Sequence, residues 1–235
     1  MFFRQIFHEE SSTLTYLLGD PLWKEAMAID TVDGTADSVL AILREAGLQL
    51  AHVLETHVHA DHVSAARELR SRTGARIVMA RAAGAGCADL AVGDGDFLVL
   101  GDDAIRVLGT PGHTPDSLCF RWRDRVFTGD TLLIGGCGRT DFQGGDAGTL
   151  YDSLTSRLLV LPDETLVYPG HDYHGRRVSC IGEEKRLNPR LAVGSRDGFV
   201  GLMHQLDLPE PAMIGTAVPA NRLCGERETG TTRQA

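Results

Sequence analysis

Apolar residues along the chain follow two spacings, which together predict a mixture of strands and helices. Short apolar segments separated by polar turns predict strands over Phe2–Phe7, Thr13–Leu18 and Glu25–Ile29. Apolar residues three and four positions apart then predict a helix over Thr35–Ala46, which Gly47 ends. Three strands are therefore expected before the first helix.

The same two patterns continue through most of the remaining chain. Further strands are predicted over Leu50–Glu55, Arg76–Met79, Phe97–Leu100, Ile105–Leu108, Leu118–Trp122, Arg125–Thr128 and Thr165–Tyr168. Further helices are predicted over His62–Arg72, Thr149–Leu161, Ser179–Leu187 and Phe199–Leu206. Strands mixed with hairpins, and with helices towards both ends, predict an α+β fold in which two sheets pack face to face between outer helices. The expected architecture is a four-layer αββα sandwich.

The composition favours one folded domain. The chain has 235 residues, of which 43% are hydrophobic and 23% are charged, so it can form a substantial core. We expect a single domain over residues 1–235, with a frayed tail over residues 225–235. The net charge of −9 disfavours nucleic acid as the main partner, because binding phosphates requires a basic surface. No apolar segment approaches about 20 residues and the N-terminus does not resemble an export signal, so we expect no membrane partner and a cytoplasmic location.

The cysteines are scattered along the chain. Their number is five, which is odd, and no two of them have C-x-x-C spacing. This pattern argues against a disulfide framework and against a structural zinc ribbon. The sequence therefore predicts free thiols in a reducing compartment.

A cluster of histidines and an aspartate is the clearest chemical motif. The segment Thr56–His62 reads THVHADH and lies between a predicted strand and a predicted helix. Because side chains alternate along extended backbone, His57, His59 and Asp61 are expected to point the same way, with His62 at the helix start. Three imidazoles and a carboxylate this close together indicate a metal site or a proton network rather than a solvated polar loop.

Three further motifs follow predicted strands. They are PGHTP with His113, TGD with Asp130 and YPGH with His171. Each is weak on its own, since a lone histidine or aspartate in a turn is more often structural. All of them, like the histidine cluster, fall at the carboxyl end of a strand. This coincidence predicts one shared metal site.

In this order the motifs H-x-H-x-D-H, G-H-T, G-D and P-G-H resemble those of the metallo-β-lactamase superfamily. The resemblance extends from about Thr13 to His171. It implies the αββα metallo-β-lactamase fold and a metal site. It leaves the reaction open, because the same ligand types serve hydrolases and oxidoreductases.

Four further segments make the chain resemble the persulfide dioxygenase family over nearly its whole length. They are GCGRTDFQ (136–143), YPGHDYHG (168–175), EEKRLNPR (183–190) and AVPAN (217–221), the last of which leads to Cys224 and Gly225. The resemblance implies that glutathione persulfide is oxidised by O2 to glutathione and sulfite. It also implies one non-haem Fe(II) per chain as the cofactor.

The resemblance assigns roles to all of the candidate ligands. His57, His113 and Asp130 are the implied iron ligands, and such a triad leaves adjacent positions where substrate sulfur and O2 can bind side by side. The other four residues are implied to orient the ligands through hydrogen bonds: His59, Asp61, His62 and His171. In dinuclear relatives these four hold metals as well, so the ligand types alone leave two zinc ions open.

Substrate contacts are expected from cationic and aromatic residues. Arg139 lies in a glycine-rich loop near the predicted iron, and Tyr173 follows the last histidine motif, so both are candidate catalytic and substrate-binding residues. Glutathione carries two carboxylates, which cations would bind. Arg176, Lys185 and Arg186 are the candidates, and the alternative is that they form a solvated helix face.

Two cysteines, and two positions that differ from the family's pattern, bear on the shape and chemistry of the expected substrate pocket. Cys137 and Cys224 fall inside the family-like motifs, where each is either a thiol near the substrate or, as we favour, a small buried apolar residue. Asp116 and Ser117 depart from the family's pattern after the G-H-T-P residues, which affects the details of the pocket rather than the metal.

Two other functions remain open at this point. A hydroxyacylglutathione hydrolase of the glyoxalase II type has the same ligand types and two metals, but it typically adds a helical C-terminal domain. A metal-binding sensor without turnover is the second alternative. The expected partners of a persulfide dioxygenase are glutathione persulfide and O2, and the resemblance suggests a homodimer and a separate rhodanese or sulfide-oxidising partner.

Overall fold

Two β-sheets of six strands each form the centre of the computed structural model, which describes residues 1–226. The strands of the first sheet are β1 (Phe2–His8), β2 (Thr13–Asp20), β3 (Glu25–Ile29), β4 (Gln49–Leu54), β5 (Arg76–Ala80) and β6 (Leu90–Val92). They lie side by side in chain order. The first three pair antiparallel, and β3 to β6 pair parallel. The carboxyl ends of β3, β4 and β5 therefore share one edge of the sheet.

The later strands form the second sheet. They are β7 (Phe97–Leu100), β8 (Asp103–Gly109), β9 (Leu118–Trp122), β10 (Arg125–Gly129), β11 (Leu166–Pro169) and β12 (Ser179–Cys180). These strands also lie in chain order across the sheet. Only β10 and β11 pair parallel, and the other neighbours pair antiparallel. Because β8 and β10 both run opposite to β9, the carboxyl ends of β8, β10 and β11 share one edge.

The α-helices of the described chain flank these sheets. They are α1 (Ala36–Glu45), α2 (Ala66–Thr73), α3 (Ala147–Ser153), α4 (Ile181–Leu187), α5 (Arg196–His204) and α6 (Ile214–Arg222). Apolar spacing forms α1, which buries Val39 and Leu43. A cap begins α3, where Asp146 Oδ1 accepts from the Thr149 amide at 2.7 Å and so satisfies one unpaired amide of the first turn.

Three apolar layers hold the sandwich together, because side chains alternate along each strand. Along β2, Leu14, Tyr16 and Leu18 are buried in a cluster with Phe127 of the second sheet. Leu17 faces the other way and packs with α1 and α2. The outer face of the second sheet packs against α3, α4 and α5. The predicted four-layer αββα order is confirmed.

Two predicted helices begin later than expected. The helix predicted from His62 begins only at Ala66, because the preceding residues belong to a hydrogen-bonded loop described below. The helix predicted from Ser179 begins at Ile181, because the two residues before it pair with β11 as β12. In both cases a tertiary contact at the start of the element overrides the local helical pattern.

Other differences lie within or between the predicted elements. The helix predicted over Thr149–Leu161 begins at Ala147 and continues from α3 into a π-helical turn over Leu154–Leu158. Strand β6 and helix α6 are absent from the predictions. The strand has only three residues, and the helix contains Pro219 and few large apolar side chains.

A disulfide corrects the prediction of free thiols for two of the cysteines. Cys87 and Cys224 are bonded to each other across a sequence separation of 137 residues. The end of α6 meets the segment between β5 and β6 there, and no sequence motif marks this contact. Cys224 is therefore not a free thiol near the substrate. Cys119, Cys137 and Cys180 are free, as predicted.

The predicted frayed tail falls mostly outside the described residues. Its first two residues have contacts with the rest of the chain: the Gly225 amide donates to the Ala220 carbonyl at 2.9 Å, and Glu226 pairs with Arg67 at 2.9 Å. Fraying of the tail stays a prediction. A single domain over residues 1–235 stays a prediction. Within residues 1–226, no helix is long and apolar enough to cross a membrane.

Candidate metal centre

The loops that carry the predicted ligands meet at one edge of the sandwich. His57 follows β4, His113 follows β8, Asp130 follows β10 and His171 follows β11. Strand direction places all of these loops at carboxyl ends of strands, and an isolated bridge between Thr13 and His171 joins the two sheets at this edge. The structure thus brings together side chains that are far apart in sequence.

His57, His113 and Asp130 form the centre of this arrangement. One ligand atom from each of these side chains lies within 4.8 Å of the others. His113 Nε2 is 3.7 Å from Asp130 Oδ2, and the ring centroids of His57 and His113 are 4.9 Å apart. Two imidazoles and one carboxylate at this spacing have the donor chemistry to hold one transition-metal ion.

Hydrogen bonds behind the two rings leave the nitrogens that face the centre free to bind. His113 Nδ1 donates to the Arg139 carbonyl at 2.7 Å, which leaves a lone pair on Nε2. The Thr56 hydroxyl donates to Asp30 Oδ2 at 2.8 Å, so it accepts from His57 Nδ1 at 3.0 Å. Burial also lowers the pKa of His57 well below its ordinary value, which favours the neutral form that binds metals.

His171 lies between two carboxylates. Its Nδ1 is 2.6 Å from Asp130 Oδ1, and its Nε2 is 2.9 Å from Asp61 Oδ2. Burial by itself would lower the pKa of His171, but these carboxylates raise it well above the ordinary value. A ring that carries a proton on each nitrogen donates to both carboxylates and keeps no lone pair for a metal.

His59 and His62 present unused nitrogens beside this centre. His59 Nε2 lies 3.2 Å from Asp30 Oδ1 and 3.4 Å from Glu55 Oε2, and His62 Nδ1 donates to Asp61 Oδ2 at 2.9 Å. Their other nitrogens, His59 Nδ1 and His62 Nε2, are buried and have no hydrogen-bond partner among residues 1–226. Ligand atoms of His59, Asp61 and His62 also lie within 4.8 Å of one another, so donors for a second ion are present.

Residues 56–62, which we call the histidine loop, are fixed by polar side chains from distant parts of the chain. Asp116 Oδ2 accepts from the Val58 amide at 2.8 Å, and Gln143 Nε2 donates to the Val58 carbonyl at 2.8 Å. Asp116 is one of the two positions that the sequence analysis expects to differ from the family's pattern. Its role here is to support the loop that carries His57.

Asp30 and Glu55 are buried carboxylates beside the metal centre that were not predicted from the sequence. They are 1% and 3% exposed, respectively. Asp30 accepts from both the amide and the hydroxyl of Thr56. It directly follows β3, just as the candidate ligands follow their strands, and that position is the signal that could have found it.

A cavity of about 390 Å³ opens over the candidate ligands. Its walls are largely apolar and include Ala60, Leu133, Phe142, Leu208, Pro209 and Pro211. Gly138 lies in its lining, where a Cβ atom would come within 2.4 Å of the Asp130 carbonyl oxygen and 2.8 Å of the His113 ring. Only a glycine lets this loop approach the centre so closely. The cavity has the size and character of a small-molecule site.

Arg139 lines the cavity, but all of its donor nitrogens already have partners in the protein. Its Nε and Nη2 bind both oxygens of Asp141 at 2.6 and 2.7 Å. Its Nη1 donates to the Pro209 carbonyl at 2.6 Å, and its Nη2 also contacts the Leu208 carbonyl at 3.2 Å. The guanidinium therefore connects the glycine-rich loop to the wall formed by residues 208–211.

Tyr173 and Cys137 also line the cavity. The Tyr173 ring stacks on His171, with centroids 5.9 Å apart and an interplanar angle of 6°, and its side chain is 62% exposed. Cys137 is a free thiol whose pKa burial raises to about 12, so it is uncharged at neutral pH.

The three other predicted substrate-binding cations lie outside the cavity lining. Arg176 pairs with Glu183, and Lys185 pairs with Asp163 at 2.6 Å. Arg186 lies on the exposed side of α4. Their contact with substrate stays a prediction.

Comparisons with known proteins agree with this architecture. The model of the metallo-beta-lactamase superfamily matches residues 11–171. The mitochondrial persulfide dioxygenase ETHE1 of Mus musculus is 47% identical over 225 residues, which cover 94% of this chain and 88% of that protein. The crystal structure of ETHE1 from Myxococcus xanthus is 54% identical and superposes with a TM-score of 0.94, covering 96% of this chain and 100% of that one.

A hydrolase is also similar over part of the chain. The hydroxyacylglutathione hydrolase of Polaromonas sp. (strain JS666) is 40% identical over 164 residues, which cover 67% of this chain and 61% of that protein. The match to the persulfide dioxygenases is higher in identity and extends over nearly the whole chain. This similarity, the fold and the arrangement of the histidines and aspartates together show that this chain belongs to the metallo-beta-lactamase superfamily and, within it, to the persulfide dioxygenase family.

Proposed function

We propose that this chain is a glutathione persulfide dioxygenase that holds a single Fe(II) between His57, His113 and Asp130. The observation that carries the proposal is the pairing of this triad with His171, whose two nitrogens face Asp130 and Asp61. In this arrangement His57, His113 and Asp130 present donors for one ion, while both nitrogens of His171 are engaged by carboxylates. The 47% identity to a persulfide dioxygenase supports the substrate class.

The donor set fits iron. Two imidazoles and one carboxylate are the donor types that non-haem Fe(II) oxygenases use, and three protein donors would leave coordination positions for other ligands. Bound iron would supply the redox chemistry that brings the persulfide sulfur and O2 together. The contribution of the protein is to hold both His57 and His113 with Nε2 free and to keep Asp130 Oδ2 available next to them.

The reaction balances as glutathione persulfide, O2 and water giving glutathione and sulfite with its protons. The sulfur–sulfur bond breaks, the terminal sulfur is oxidised while O2 is reduced, and the thiol sulfur of glutathione takes up a proton. The apolar walls of the cavity exclude bulk water from the reacting sulfur, which strengthens electrostatic contacts inside. Asp130 also supplies the negative charge that balances a bound cation.

The position of His171 supports one metal rather than two. A second ion between Asp61, His62 and His171 would need the lone pair of His171 Nε2. That nitrogen instead donates to Asp61 Oδ2, and Asp130 Oδ1 is occupied by His171 Nδ1. We therefore propose that His59, Asp61, His62 and His171 orient the ligands through hydrogen bonds.

A dinuclear hydroxyacylglutathione hydrolase is the second candidate. The unpartnered nitrogens His59 Nδ1 and His62 Nε2 favour it, because both are available to bind metal. The contacts of His171 and the extent of the similarity to persulfide dioxygenases favour the first candidate.

We further propose that the substrate enters the cavity with its persulfide towards the triad. Tyr173 and the wall held by Arg139 would contact the glutathione moiety, and Arg176, Lys185 and Arg186 are candidates for its carboxylates. A homodimer and a separate rhodanese or sulfide-oxidising partner remain part of this proposal, as does a cytoplasmic location.

Metal analysis combined with two assays tests the proposed function. The protein would be purified anaerobically after expression with iron and zinc both available. We expect about one iron per chain, uptake of O2 with glutathione persulfide and no hydrolysis of a glutathione thioester. Two zinc ions per chain together with thioester hydrolysis would reject the dioxygenase in favour of the hydrolase.

A further inference from the structure

Asn221 connects the last described helix to the histidine loop. Its side chain is 3% exposed and lies on α6. Nδ2 donates to the carbonyls of His59 and His62 at 2.9 and 2.8 Å, and Oδ1 accepts from the Ser64 amide at 2.8 Å. One amide side chain thus satisfies three backbone groups in and just after the loop.

These backbone groups need such a partner because the histidine loop has no regular secondary structure. A strand or helix would pair its own amides and carbonyls, whereas residues 55–63 belong to neither. Unpaired backbone groups in a buried loop are costly. The contacts of Asn221 bracket Asp61, with one bond to the residue two positions before it and one to the residue directly after it.

The packing of α6 keeps Asn221 in place. Ala217 and Ala220 of this helix are buried against Val63, next to the histidine loop. At the end of the helix, a Cβ on Gly225 would come within 2.2 Å of the Ser64 carbonyl oxygen, and Gly225 has a φ of +90°. Small residues therefore allow the helix to approach the loop closely enough for the Asn221 side chain to reach it.

A chain of polar contacts continues from Asn221 towards the centre. Ser64, whose amide binds Asn221, donates from its hydroxyl to Glu55 Oε1 at 2.5 Å. Glu55 Oε2 lies 3.4 Å from His59 Nε2, which in turn lies 3.2 Å from Asp30 Oδ1.

The final links reach the candidate ligand. Asp30 Oδ2 accepts from the Thr56 hydroxyl, and that hydroxyl accepts from His57 Nδ1. A shift of the loop near Asn221 would therefore reach the ring of His57 both through the backbone and through these buried groups.

We propose that Asn221 is a positioning residue for the metal centre: by fixing the carbonyls of His59 and His62 it sets the placement of His57 and so the affinity for the metal. This inference rests on the proposed metal site, but it does not depend on which reaction the site performs.

The test measures metal affinity rather than turnover, in full-length Asn221→Ala and Asn221→Asp. The aspartate variant preserves size and the acceptor for the Ser64 amide but lacks the two donors. Fe(II) affinity would be measured anaerobically by competition with a chelator, and the geometry of the site by the electron paramagnetic resonance spectrum of the iron–nitric oxide adduct. We expect affinity to fall about 10- to 100-fold in both variants and the spectrum to change. Thermal unfolding of the metal-free proteins would show that Asn221→Asp remains folded.

Arg67→Ala is the matched control, because it removes a surface ion pair between α2 and Glu226, which follows α6, and this pair does not involve the histidine loop. Its Fe(II) affinity should stay within about twofold of the parent protein. Unchanged affinity and an unchanged spectrum in a folded Asn221 variant would overturn the proposal. So would a loss of iron that the unfolded fraction of the sample fully explains. Co(II) can replace Fe(II) in the chelator competition. The effect of Asn221 on metal affinity can therefore be measured even if the protein is not a dioxygenase.

Discussion

The two sides of the candidate centre are built in different ways. On one side the histidine loop is buried, and backbone groups of it are paired with the side chains of Asp30, Asp116 and Asn221. On the other side the cavity wall consists of irregular segments joined by Arg139, and Tyr173 is largely exposed. Under the proposed function, retention of the metal and recognition of the substrate would depend on separate sets of contacts. Substitutions should therefore separate the two properties.

The largest effect, a loss of affinity for iron, is expected from a substitution of the proposed ligand Asp130. Asp130→Asn removes the negative charge that faces His57 and His113 and weakens the contact with His171. Affinity for iron should fall by more than about 100-fold, since even the partners of ligands contribute 10- to 100-fold. Metal analysis and O2 uptake would be measured together. An Asn variant that keeps both iron and activity would contradict the assignment of Asp130.

The next largest effect is expected from Arg139→Ala, which affects only the wall. The hydrogen bond to His113 comes from the backbone carbonyl of Arg139 and survives the substitution, so iron content should not change. The wall at Leu208 and Pro209 loses its connection to the glycine-rich loop, and a displaced substrate can cost on the order of 100-fold in kcat/KM.

Arg196→Ala is the control for this prediction, since Arg196 forms an exposed pair with Asp152. Its kinetics and iron content should match those of the parent protein. A normal kcat/KM in Arg139→Ala would contradict a role of the wall in substrate binding. A loss of iron there would show that the two sides do not act separately.

A smaller effect is expected from Tyr173→Phe. The phenyl ring keeps the stacking on His171, so only a hydroxyl contact with substrate is lost. One such hydrogen bond contributes about 1 kcal/mol, or about fivefold in kcat/KM. Steady-state kinetics with glutathione persulfide measure it. If Phe is fully active, Tyr173 acts through packing alone.

The smallest effect is expected from the cations outside the cavity lining. Arg176 and Lys185 form exposed ion pairs with Glu183 and Asp163, and such pairs contribute little. Arg176→Ala and Lys185→Ala should each change KM by less than about twofold. The same measurement on Arg186→Ala completes the series. A tenfold rise in KM for any of them would place that cation on the glutathione carboxylates.

The sequence predicts the sheets better than their connections. Strands such as β2 and β10 are evident from short apolar segments, and the order of strands and helices was enough to predict the four layers. The start of α2 and the two residues of β12 could not be predicted, because a tertiary contact decides each of them. Helix α6 was missed because its buried side chains are small.

In the site, too, local sequence patterns are predictable and tertiary contacts are not. The ligand types are visible because His57, His59, Asp61 and His62 lie within one short segment that follows a strand. The partners of that segment come from sequence positions too distant for any local pattern to connect them with it.

The disulfide and the contacts of Arg139 could not be predicted either, because their partners are distant in sequence. Cys87 and Cys224 are separated by 137 residues. The donors of Arg139 bind carbonyls of residues 208 and 209, which contribute backbone atoms rather than a recognisable side chain.

The supports of the histidine loop have a consequence for the timing of cofactor loading. They are contributed by Asp30, Asp116, Gln143 and Asn221, so the last of them is synthesised long after the loop itself. A chain still emerging from the ribosome would contain His57 without the helix that stabilises its surroundings. Under the proposed function, the ion would therefore bind to the completed polypeptide rather than to a chain that is still being synthesised.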